Sequence, residues 1–185
     1  MKQKSEKTGM KKSAHILVWT ILIVSIFPVL FFFLGSIPLS VRVWQPLVKA
    51  ELQKYEMEEY TPIVLAIIKQ ESGGKKLDIM QSSESIDLPP NTIKNPLTSI
   101  KTGVHYFKQS IDCMDETNVD LNTAIQSYNY GLGYIDYVKA NGGKHNTDLS
   151  KKFSTDWAKK MNWETYGDSE YVYKINDYKK MIPND

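Results

Sequence analysis

A carboxylate stands where apolar neighbours would not ask for one. The run Thr61-Pro62-Ile63-Val64-Leu65-Ala66-Ile67-Ile68-Lys69-Gln70-Glu71 is followed by Ser72-Gly73-Gly74. Thr61 suits a helix N-cap and Pro62 its first position, while the two glycines stop the helix. Glu71 then lies in the last turn, where the helix dipole disfavours a negative charge. The apolar run also brings it close to a core. Both effects raise a carboxyl pKa, and a raised pKa is what a general acid needs near neutral pH.

Two further groups of residues could share its chemistry. Leu77-Asp78-Ile79-Met80-Gln81-Ser82-Ser83-Glu84-Ser85 supplies carboxylates and hydroxyls in a segment of weak periodicity. Tyr128-Asn129-Tyr130-Gly131-Leu132-Gly133 places a phenol and an amide before a glycine break. Other chemistries find no support. The chain has no Walker loop, dinucleotide fingerprint, His-Glu-x-x-His, Cys-x-x-Cys or Gly-x-Ser-x-Gly. His15, His105 and His145 are scattered, so no zinc set is expected. Cys113 is the one cysteine; it follows Val104, Phe107 and Ile111 at roughly helical spacing and reads as a structural thiol. No cofactor is implied, and a net charge of +2 gives no reason to expect nucleic acid.

The elements that must position these groups are helices. Val43, Leu47, Val48, Leu52 and Tyr55 predict an amphipathic helix within residues 41–59. The Pro62 to Glu71 helix follows, then an irregular loop from Lys75 to Lys94. Asn95-Pro96 opens a helix to about Met114, and Asp120 caps another through Tyr128. Tyr134 to Ala140, Leu149 to Met161 and Ser169 to Met181 are three more. No alternation is long enough for a sheet, so the fold class is mainly α.

The N-terminal part reads differently. Ile16 to Leu34 is uncharged and almost wholly apolar, enough to span a bilayer. Lys2, Lys4, Lys7, Lys11 and Lys12 precede it, which places the N-terminus in the cytoplasm and the chain from about residue 40 outside. The expected organisation is a basic tail (1–14), a single transmembrane helix (15–38) and an extracytoplasmic domain (41–185), with Trp19 and Trp44 marking interfaces. A cleaved signal peptide is the rival reading; the run is long for one, and no clean Ala-x-Ala site follows.

Glu71-Ser72-Gly73-Gly74, Met80-Gln81-Ser82-Ser83-Glu84-Ser85 and Tyr128-Asn129-Tyr130-Gly131, in this order, resemble the lysozyme-like superfamily of goose-type lysozymes and soluble lytic transglycosylases. The wording of the second segment is similar to the lysozyme-like domain of bifunctional cell-wall hydrolases of Gram-positive conjugative elements. The likeness covers about residues 45 to 180. It implies Glu71 as catalytic acid on the glycosidic bond between N-acetylmuramic acid and N-acetylglucosamine, with peptidoglycan glycan strands as partner. It implies that Met80, Gln81, Ser82, Ser83, Tyr128, Asn129 and Gly131 line the glycan site. Glu84 is the preferred second carboxylate, with Asp78 and Asp87 as other candidates. A muramidase is the expected activity; a lytic transglycosylase, or an inactive glycan-binding assembly module, is the alternative. The same resemblance suggests a cell-envelope secretion or conjugation machine as a partner.

Overall fold

The computed structural model describes residues 38–182. Its elements are α1 (Leu39–Arg42), α2 (Gln45–Gln53), a 3-10 turn (Glu58–Tyr60), α3 (Thr61–Ser72), a second 3-10 turn (Glu84–Ile86), α4 (Pro96–Thr117), α5 (Leu121–Tyr130), α6 (Gly133–Ala140), α7 (Thr147–Met161) and α8 (Tyr171–Lys179). No strand occurs among the described residues. None of their helices is long and apolar enough to cross a membrane. The basic tail and residues 15–37 of the expected membrane span lie outside the described residues.

Helix α3 is the hub. Ile63 to Ile68 are all buried, so this helix is apolar all round and is held from several sides. Helices α2 and α8 pack against it, and Val48, Leu52, Phe107, Ile125 and Ile175 complete the same core. Each buried aliphatic side chain here contributes roughly 1.5–3 kcal/mol of transfer free energy. A second cluster joins Tyr130, Tyr134, Ile135, Val138 and Phe153, with Cys113 and Trp157 packed on it.

The caps explain most boundaries. Asn95 Oδ1 accepts from the Leu97 and Thr98 amides at the start of α4. Asp120 Oδ1 accepts from the Thr123 amide, and Asn146 Oδ1 from the Leu149 amide. Helix α4 runs three residues past Met114 and ends on Asn118 in the left-handed region (φ 55°).

Two expectations are corrected. Tyr60, not Thr61, is the N-cap of α3; the Thr61 hydroxyl donates to the Glu58 carbonyl (2.6 Å) and so serves the preceding 3-10 turn. The amphipathic helix of residues 41–59 is interrupted at Val43-Trp44, since Pro46 offers no amide to extend α1, and it stops at Gln53. Val48 and Leu52 are buried as the pattern required, whereas Val43 and Leu47 are exposed.

The break between α1 and α2 fixes the end of α3. The Ser40 hydroxyl donates to the Gly73 carbonyl (2.8 Å) and the Trp44 ring N–H to the Gly74 carbonyl (3.2 Å). Trp44 therefore spends its polar atom inside the domain, packed against the core, rather than at an interface. Gly74 has φ 72°, and a Cβ there would sit 2.2 Å from the Ser40 carbonyl oxygen. Only glycine fits both the backbone and the space.

Candidate active site

Glu71 emerges one residue before the end of α3, in its last turn. Its Oε1 accepts a hydrogen bond from the Tyr171 hydroxyl on α8 (2.6 Å). Burial pushes the Glu71 carboxyl up to about 7. The Tyr171 hydrogen bond and the Lys76 charge oppose that shift, and the charges of Asp168 and Asp78 add to it. Desolvation dominates, as expected for an acid at the edge of an apolar helix. Tyr171 is itself buried and its hydroxyl is held well above the usual tyrosine range, chiefly by burial. It stays a neutral donor.

Asp78 organises the loop opposite. It is buried, and both of its oxygens are occupied. Oδ1 accepts from the Ser82 amide (2.9 Å) and the Ser99 hydroxyl (2.6 Å); Oδ2 accepts from the Ser83 amide (3.1 Å) and the Ser83 hydroxyl (2.6 Å). Burial alone would raise its pKa, but the Ser83 and Ser99 hydroxyls and the two amides outweigh it and lower the value. Asp78 is thus an ionised keystone with no oxygen left for a substrate water. The Ser72 hydroxyl ties this loop to the end of α3 by donating to the Ile79 carbonyl (2.7 Å).

A cleft of about 330 Å³ opens between these parts. It is lined by Glu71, Gln81, Ser82, Glu84, Ser85, Tyr106, Tyr128, Asn129, Tyr130, Gly131 and Tyr166. Of the residues singled out in the sequence, Glu71, Gln81, Ser82, Glu84, Tyr128, Asn129 and Gly131 meet at this cleft. Met80 and Ser83 are buried behind it. The Met80 side chain packs where Gly103 leaves room, and its carbonyl accepts from the Tyr128 hydroxyl (3.0 Å). Ser83 serves Asp78 and accepts from the Ile93 amide (3.0 Å). Asp87 is exposed at the end of the Glu84–Ile86 turn, in the left-handed region (φ 59°), and is not among the cleft residues.

Local backbone shapes set the walls. Gln81 adopts φ 49°, and its side-chain amide donates to the Asp78 carbonyl and to Asn91 Oδ1 (both 2.9 Å). A non-glycine residue at positive φ near a cleft is a strained position that its neighbours must hold. Gly131 has φ 84° and ψ 158°, which lets the chain leave α5 sharply at the cleft edge. Asn129 Oδ1 accepts from the Asp168 amide (2.6 Å), so this side chain also pins the loop before α8. Tyr106 and Tyr128 meet edge to face, 5.6 Å apart.

Sequence reasoning missed Tyr171, Tyr106 and Tyr166. Tyr171 lies 100 residues from Glu71, in a segment the sequence marks only as a candidate helix, Ser169 to Met181. The high tyrosine content is the one signal that could have pointed to them, and it names no position.

The relationships of the chain to known proteins agree with this geometry. A family profile described as Lysozyme-like matches residues 38–183. The chain belongs to the lysozyme-like family. The bifunctional muramidase/DL-endopeptidase CwlT of Bacillus subtilis is 45% identical over 136 residues, which is 71% of this chain and 40% of CwlT. The lysozyme-like chain thus spans well under two thirds of that relative. The membrane protein YocA of Bacillus subtilis is 33% identical, over 97% of this chain and 92% of YocA. The lysozyme-like fold superimposes on a crystal structure from Staphylococcus aureus, described as similar to lipoprotein of the NLP/P60 family, with TM-score 0.72 and 35% identity. That match covers 77% of this chain and 53% of the other.

Proposed function

We propose that this lysozyme-like chain is a muramidase that cleaves the glycosidic bond between N-acetylmuramic acid and N-acetylglucosamine in peptidoglycan, with Glu71 as general acid. One observation carries the proposal: a carboxyl with a pKa of about 7 opens into a cleft and is oriented by a neutral phenol. At neutral pH about half of such a group is protonated, whereas an ordinary carboxyl is almost wholly ionised. The muramidase named among the relatives supports the substrate class.

The steps follow from the groups. Tyr171 holds Oε1, leaving Oε2 to carry the proton toward the glycosidic oxygen. As the bond breaks, positive charge grows on the sugar, and the Glu71 carboxylate left behind is stabilised by the Tyr171 donor. Glu84 is the second carboxylate that shares the cleft, and its role is to hold the attacking water. Asp78 acts at one remove, fixing the loop and adding a negative charge that favours the protonated form of Glu71.

The alternative is a lytic transglycosylase, in which the muramyl 6-hydroxyl attacks in place of water. The full occupancy of Asp78 favours it, since that leaves Glu71 as a half-buried acid in the cleft without a buried carboxylate partner. An inactive glycan-binding module would have no use for a carboxyl tuned by burial. Mass spectrometry of digested peptidoglycan separates these readings. Reducing muramic acid ends support the hydrolase, anhydro-muramyl ends the transglycosylase, and intact glycan the inactive module.

The proposed location is the outer face of a cell membrane, held by the apolar run Ile16 to Leu34; the name of YocA supports it. Cleavage would then be confined to nearby wall, as local remodelling around a secretion or conjugation machine requires. Survival of macromolecule transfer in a deletion strain free of redundant hydrolases would overturn that last step.

A further inference from the structure

One aromatic ring next to a cleft residue is largely exposed. Trp163 is 58% exposed. The other described tryptophans are engaged: Trp44 packs on the core and donates to Gly74, and Trp157 stacks on Phe153 (4.8 Å, 18°). Tryptophan is enriched among the residues that dominate binding surfaces.

Trp163 is exposed yet held. Its amide donates to the Ala158 carbonyl (2.9 Å) after Asn162 turns into the left-handed region (φ 56°). This is the six-to-one bond that closes a helix C-terminus and fixes the next residue. The indole lies against the Tyr166 ring, 5.9 Å between centroids and 24° from parallel. Tyr166 is a cleft residue. Its hydroxyl donates to the Tyr130 carbonyl (2.9 Å), and its own carbonyl accepts from Ser154 (2.6 Å). The next residue, Gly167, lies so close that a Cβ would stand 2.6 Å from Asn129 Oδ1 and the Tyr130 ring. The segment carrying both rings is thereby pinned to the cleft wall.

We propose that Trp163, stacked on Tyr166, forms an outer subsite that takes the apolar C–H face of a pyranose ring in a glycan strand running out of the cleft. An aromatic platform suits such a ring: it offers area with little conformational entropy to lose, and its orientation is set before the ligand arrives. The inference rests on the glycan-cleaving reading above and adds to it a binding residue outside the catalytic cleft.

The test uses the full-length protein in detergent with Glu71→Gln, so that strands stay uncut during binding. Affinity for purified insoluble peptidoglycan is measured by depletion from the supernatant, for this parent and for the same chain with Trp163→Ala or Trp163→Phe. Trp163→Ala is expected to weaken binding about tenfold, and Trp163→Phe to restore it to within about threefold of the parent, with equal Tm in all three. Unchanged binding in Trp163→Ala would overturn the subsite while leaving the catalytic reading intact. Weakened binding with a fall in Tm that phenylalanine does not rescue would make Trp163 structural and also overturn it. A parent that binds no peptidoglycan would sink the glycan reading itself, and the subsite with it.

Discussion

The Tyr171 hydroxyl donates to Glu71 Oε1 at 2.6 Å, joining α8 to the last turn of α3. The contact acts on the acid in two ways. It occupies Oε1, and it stabilises the ionised form against a burial effect that pushes the other way. The net result is a carboxyl at about 7, the range that the proposed general acid requires near neutral pH.

Tyr171→Phe removes that donor. The Glu71 pKa should then rise further, because burial is left less opposed. The alkaline limb of the pH–activity profile, set by loss of the acid proton, should move to higher pH, and kcat should fall about tenfold as orientation is lost. Measuring kcat/KM from pH 5 to 9 for both proteins checks this. A limb that stays put would show that Tyr171 does not tune Glu71.

Glu71→Gln should stabilise the fold above neutrality. The folded pKa of Glu71, about 7, lies above its ordinary value of 4.5, so the folded chain binds the proton more tightly than the unfolded one. That stabilising contribution is complete below about pH 4.5 and is lost as pH rises through 7. An amide carries no charge to bury. Denaturant titrations should show the variant more stable than the parent by on the order of 2 kcal/mol at pH 8, and close to it at pH 5. Equal stability at both pH values would argue against a desolvated acid with a raised pKa.

Asp78→Asn should unhook the loop. An amide cannot accept from the Ser82 and Ser83 amides and the two hydroxyls at once, so donors are stranded in a buried site. A loss of at least about 2 kcal/mol in stability is expected, with cleavage falling as Gln81 and Glu84 lose their frame. Thermal unfolding and a peptidoglycan turbidity assay test both parts.

Gly74→Ala probes the support of the acid from behind. The added Cβ meets backbone, not a yielding side chain, and the residue is at positive φ. A Tm drop of several degrees is expected, larger than for Gly133→Ala, where a Cβ meets nothing within 4 Å.

Much of this was legible in the residues. Periodicity announces α3 to α8, and Asn95 and Asp120 mark two starts, because they are local signals whose partners lie within three residues; the Asn146 cap, which starts α7 two residues before the expected Leu149, went unread. Glu71 stood out for the same reason, since its helix, its dipole and its glycines are all adjacent. What stayed hidden depends on distant contacts. The Asp78 carboxylate looked like a possible catalyst until Ser99, 21 residues away, proved to take one of its oxygens. The resemblance places Met80 and Ser83 at the glycan site; only packing against Gly103 and Asp78 shows which way they turn. The break at Val43-Trp44 follows from Pro46, which was visible, and from the pull of Gly73 and Gly74, which was not.

The central claim is that Glu71 supplies the proton for glycan cleavage. The direct measurement is digestion of purified peptidoglycan by the native chain and by Glu71→Gln, with products read by mass spectrometry and folding checked by circular dichroism. The account predicts muropeptides with reducing muramic acid ends from the native chain and none from a fully folded Glu71→Gln. Cleavage retained in that variant would contradict it.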